Sequence, residues 1–102
     1  MSSFGIDDDI LEKIIGVLSG YSEIEKTVIY GSRAVGTFKP GSDIDMAVYA
    51  PLMTDRKFKS LCFDLDALPI IFKMDVVHRD SLQKSSLCKK IDQEGKSIYQ
   101  KV

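Results

Sequence analysis

The chain predicts an α/β domain in which a mixed sheet of three or four strands is flanked by helices. Three observations carry this expectation. Residues 26–30 and 43–49 are short runs of strand type, either β-branched and aromatic or alternately apolar. Residues 70–77 are an almost continuous apolar run, and three further stretches repeat their apolar residues at helical spacing. Residues 1–102 read as one domain with a single modest core, with no linker, internal repeat or low-complexity stretch to divide them.

Taken in order, the first helix follows Asp7-Asp8-Asp9, with Ile10, Leu11, Ile14, Ile15 and Leu18 on one stripe and Gly20 near its stop. The triple aspartate is read as helix capping rather than as a metal site. Lys26-Thr27-Val28-Ile29-Tyr30 forms a strand ending at Gly31, and Ser32-Arg33-Ala34-Val35 forms a short helical turn closed by Gly36. Residues 37–42, with a turn at Pro40-Gly41, make a hairpin connection, so the strands on either side are antiparallel neighbours. After the strand 43–49, Thr54 opens a helix whose Phe58, Leu61, Cys62, Leu65 and Leu68 line one face before Pro69. Ile70–Val77 reads as a largely buried strand. Asp80 or Ser86 begins a last helix through Leu87 and Ile91, stopped by Gly95, and Ser97-Ile98-Tyr99 is a short extended tail.

Chemistry concentrates where the first two strands meet. Ile44, Met46 and Val48 alternate along the second strand, so Asp43 and Asp45 share its other face. Their backbones are about 6.5–7 Å apart on a strand, close enough for both carboxylates to converge on one hard cation or on a pair of them, magnesium or manganese rather than zinc. Taken alone, such a pair also suits a solvated strand face. Gly31 lets phosphate approach the backbone, Ser32 donates a hydroxyl hydrogen bond, and Arg33 offers a charge-assisted fork. Ser42, beside Asp43, is placed to hydrogen-bond at the same end. Because the hairpin brings Gly31-Ser32 and Asp43 together, the two features read as one nucleotide site. A third carboxylate, Asp75, sits within the apolar run 70–77, where an ionised group needs a metal or cation beside it. The bland alternative pairs Asp75 with Lys73 or Arg79.

Gly31-Ser32-Arg33-Ala34-Val35-Gly36 followed by Gly41-Ser42-Asp43-Ile44-Asp45-Met46 resembles the signature of the DNA polymerase beta-like nucleotidyltransferase superfamily, in its minimal nucleotidyltransferase (MNT) branch. The resemblance covers most of the chain. It implies a polymerase beta palm-like fold, a Gly31-Ser32 turn that binds ATP as nucleotide donor, and Mg2+, as two ions, held by Asp43, Asp45 and Asp75. It further implies transfer of AMP to a tyrosine hydroxyl of a HEPN ribonuclease toxin, the chain being the antitoxin of the pair. Asp75 is then a metal ligand or the base that takes the acceptor's proton. One departure is Val35, where many MNT sequences carry a second arginine; Lys39 is the nearest substitute. Two other readings stay open: an antitoxin that binds nucleotide without catalysis and acts by occlusion, and a small-molecule, antibiotic-modifying nucleotidyltransferase.

The 14 basic and 15 acidic residues, for a formal net charge of −1, argue against extended nucleic-acid binding. No apolar run nears the roughly 20 residues that cross a bilayer, and no signal segment opens the chain, so a cytoplasmic protein is expected. With no second domain to bind an acceptor, a second chain is expected in a homo- or hetero-oligomer. Cys62 and Cys88 lack metal-ligand spacing and read as packing residues. His78 reads as a loop or cap residue, and Tyr49 as either a pocket lining or sheet packing.

Overall fold

The computed structural model describes residues 2–83 and 85–102. Alternation builds a four-stranded sheet from β3 (Lys26–Tyr30), β4 (Ile44–Tyr49), β5 (Met74–His78) and β6 (Lys96–Gln100), preceded by a small hairpin of β1 (Ser2–Ser3) and β2 (Ile6–Asp7). Its order is β5-β4-β3-β6. β3 runs antiparallel to β4 and β6, whereas β4 and β5 are parallel, so the sheet is mixed as expected.

Period two on β4 sorts the two faces. Ile44, Met46 and Val48 are fully buried and pack with Ile14 and Leu18 of α1 (Asp8–Ser19) and Leu61 and Leu65 of α3 (Asp55–Asp66). On the other face Val28, Tyr30 and Ala47 meet Ile91 of α4 (Ser86–Glu94). Side-chain caps start two of these helices: Thr54 accepts the Lys57 N–H at 3.2 Å and Ser85 accepts the Cys88 N–H at 3.4 Å. Asp7 occupies the cap position of α1 without a side-chain cap bond, while Asp8 and Asp9 lie in its first turn, where the helix dipole favours them. Among the described residues no helix is long and apolar enough to cross a membrane.

Several expectations need correction. The run 70–77 is not a largely buried strand throughout: pairing begins at Met74, and β5 is an edge strand with one neighbour, leaving Asp75 exposed and Ile71 92 % exposed. Ile70 and Phe72 still pack partly against the core, which explains the apolar run. Arg79 pairs with Asp92 at 2.8 Å, not with Asp75. His78 does not lie in a loop: it ends β5 and, as the cap alternative expected, stands at the cap position of the 3-10 turn Arg79–Ser81, its Nε2 2.8 Å from the Ala50 carbonyl and its Nδ1 2.8 Å from the Ser81 hydroxyl. The tail around Ser97–Tyr99 is a true strand, held by β3, with a register shift between Thr27 and Val28.

Beside that shift, the buried Thr27 Oγ1 has no hydrogen-bond partner among the described residues. A buried hydroxyl without a partner costs stability, so Thr27→Val is expected to raise it by about 1 kcal/mol. A urea-unfolding midpoint that falls in this variant would contradict the assignment.

Candidate active site at the end of the sheet

The turn after β3 is dictated by one glycine. Gly31 has φ 78° and ψ −155°, a conformation open essentially to glycine alone, and a Cβ there would lie 2.8 Å from Asp45 Oδ2. Its carbonyl accepts the Ala34 and Val35 N–H groups at 3.0 and 3.1 Å, winding α2 (Ser32–Val35) into a single turn. Gly36, at φ 88°, then ends it in the left-handed conformation. Gly31→Ala is expected to cost about 1–3 kcal/mol through backbone strain and to swing the Asp45 carboxylate out of place. Unfolding midpoint and nucleotide binding should fall together.

Asp45 sits at the junction of three strands. Across β3 its partner is Tyr30, and across β5 its in-register partner is Asp75. Asp43 lies just before β4, two residues away on the same face, and is exposed. Burial pushes the half-exposed Asp45 carboxyl above its ordinary value, and the charges of Asp75 and then Asp43 push it further, with Lys90 of α4 pulling it back. Tyr30 feels the same field: burial, then Asp45 and Asp75, raise its phenol to about 12.

The structure therefore brings Gly31, Ser32, Asp43, Asp45 and Asp75 to one end of the sheet. Among the described residues, no three carboxylate, imidazole or thiol groups are grouped so that they could hold a metal ion. The donor set is nevertheless the right chemistry for a hard divalent cation: all oxygen and mutually repelling, with the partly buried Asp45 between the exposed Asp43 and Asp75. In donor type, though not as a closed group, these residues suit such an ion.

Arg33 and Ser42 do something else. Arg33 is 2 % exposed, its Nε and Nη2 donate to the Ser42 carbonyl at 3.2 and 2.8 Å, and its Nη1 donates to the Phe4 carbonyl at 2.9 Å. The Phe38 and Phe72 rings lie 5.0 and 4.7 Å from the guanidinium carbon. The fork expected for phosphate is thus turned inward, tying α2 to the 38–42 loop and the N-terminal hairpin. Ser42 uses its hydroxyl to accept the Lys39 N–H at 2.9 Å, which closes that loop. Tyr49 shares the Asp45 face but donates to Asp92 Oδ1 at 3.1 Å beneath Lys26, so it packs the sheet.

Two residues that the sequence did not flag come from α4. Lys90 supplies the cation near Asp45, and Glu94 Oε1 accepts the Gly31 N–H at 3.2 Å. Spacing gives no hint of them, because their partners are far away in sequence; the only local signal is that they stand one helical turn apart.

No curated protein matches the chain in sequence. Its fold is similar to a chain in the crystal structure of a toxin–antitoxin with AMP-PNP, at 28% identity and a TM-score of 0.70, over 89% of this chain and 73% of that one. Two further likenesses show the fold: the toxin–antitoxin MntA–HepT (23% identity, TM-score 0.61, 93% and 74% covered) and the tri-AMPylated Shewanella oneidensis HEPN toxin in complex with MNT antitoxin (22%, 0.58, 90% and 71%). The profile described as Polymerase beta, Nucleotidyltransferase matches residues 12–102, from within α1 through β6, and the chain belongs to that nucleotidyltransferase family.

Proposed function

We propose that the chain transfers AMP from ATP to a tyrosine hydroxyl of a HEPN-domain toxin, acting as the antitoxin of the pair. The observation that carries this reading is the in-register Asp45–Asp75 pair set against the Gly31-Ser32 turn. Support comes also from the similar toxin–antitoxin with AMP-PNP. The complex of tri-AMPylated HEPN toxin with MNT antitoxin shares the fold, and its toxin carries the kind of modification this reading expects on the partner.

In this reading Asp43, Asp45 and Asp75 would hold Mg2+, as a pair of ions. When bound, the metal would supply positive charge to the phosphate oxygens and make the acceptor hydroxyl more acidic. The chain's own groups do the rest. Gly31 keeps a side chain out of the space that the triphosphate enters, and the Ser32 hydroxyl donates to a phosphate oxygen. The acceptor oxygen forms its bond to the α-phosphorus as the bond to the pyrophosphate oxygen breaks. Asp75, exposed on the edge strand where a bulky acceptor has access, would serve either as a metal ligand or as the base that takes the hydroxyl proton.

One observation favours the occlusion reading. With Arg33 turned inward and Val35 53 % exposed, α2 offers no side-chain cation to phosphate. A single experiment separates the two: the chain, ATP, magnesium and the product of the adjacent gene are mixed and the partner is weighed. Addition of AMP residues supports transfer; neutralisation of the partner without added mass supports occlusion.

A further inference from the structure

Glu94 is the last residue of α4, and its placement is locally unfavourable. A carboxylate at a helix C-terminus meets the negative end of the helix dipole, and no basic residue in that last turn offsets it. What it gains is the Gly31 N–H, 3.2 Å away and 63 residues distant in sequence.

Two features make this reach possible. Gly95 lacks the Cβ that would stand 2.6 Å from the Ile91 carbonyl and 3.0 Å from Val28 Cγ2, so the end of α4 lies directly on β3. The pairing of β3 stops at Tyr30 on the β4 side and at Ile29 on the β6 side, leaving the next amide beyond both ladders. The carbonyl of Gly31 is meanwhile taken by Ala34 and Val35. Glu94 therefore fixes the amide side of the residue whose carbonyl side α2 already fixes.

We infer that Glu94 is a positioning residue for the nucleotide reaction, holding the Gly31 amide so that the Ser32 hydroxyl and the Asp45 carboxylate keep their mutual geometry. This rests on the proposed nucleotidyl transfer. It also divides the labour at the turn: Gly31 contributes its conformation and its missing side chain, while Ser32 is left to meet the triphosphate. The bond needs an acceptor oxygen at this place and not a negative charge, which the amide of glutamine also supplies.

The test compares Glu94→Ala and Glu94→Gln in the full chain, with magnesium and ATP for transfer, AMP-PNP for binding, and the Gly31 amide followed by hydrogen exchange. Glu94→Ala is expected to lower kcat about tenfold or more with little change in KM, while Glu94→Gln stays within about threefold of wild type. Exchange at Gly31 should accelerate in the alanine variant alone. Equal losses in both variants would overturn the inference by showing that the charge itself is used. Tighter AMP-PNP binding by both would overturn it in favour of a carboxylate that the triphosphate displaces. Wild-type transfer with an unaltered alanine variant sinks this role alone. A wild-type chain that binds no nucleotide sinks the transfer reading and this role with it.

Discussion

Asp45→Asn is expected to reduce AMP transfer by about 10³-fold or more, and the metal-free variant to melt at a higher temperature than wild type. The two halves of this result share one cause. Asp45 is the member of the acidic group with neighbours on both sides, Tyr30 across one strand and Asp75 across the other. Burial and the charges of Asp75 and Asp43 raise its carboxyl above the unfolded value. A carboxyl raised in the folded state favours folding below its unfolded pKa, and that contribution is lost as pH rises through the folded value. At neutral pH the ionised group thus opposes folding, and asparagine removes the opposition together with the charge that catalysis needs. Calorimetry in chelator and a transfer assay in magnesium read the two effects separately. Unaltered turnover would remove Asp45 from the site; a lower melting temperature in chelator would show that its charge is already compensated.

Arg33→Ala is expected to produce a large loss of stability, about 3 kcal/mol or more, from the loss of a buried, hydrogen-bonded charge. It leaves the Ser42 and Phe4 carbonyls without their donors and uncovers the faces of Phe38 and Phe72. Arg33→Lys recovers little, because a single ammonium cannot serve two carbonyls and stack flat between two rings. Denaturant midpoints check the prediction. A variant of unchanged stability whose only defect is weaker AMP-PNP binding would return Arg33 to the phosphate role expected from its place beside Gly31-Ser32.

That pair of residues also shows what the sequence makes visible. Asp45 was legible because alternation with Ile44, Met46 and Val48 is a local property that survives folding, and Gly31 because its strand ends there. Arg33 was not: whether an arginine after a glycine-serine turn points outward depends on Phe38, Phe72 and two carbonyls contributed by other segments. Asp75 was legible as a residue but not in its setting, since a run of apolar residues reads alike in a central strand and in an edge strand with a packed approach. β6 looked like a tail because its partner, β3, is far away in sequence. Glu94 was hidden for the same reason.

The pairing of β3 has a consequence for the order of assembly. One neighbour, β4, follows it after a short connection, whereas the other, β6, is synthesised only after α3, β5 and α4. Closing the small loop is entropically easy and closing the large one is slower. A nascent chain can therefore pair Tyr30 with Asp45 before α4 exists, and the Gly31 amide gains its Glu94 partner only once α4 has been made.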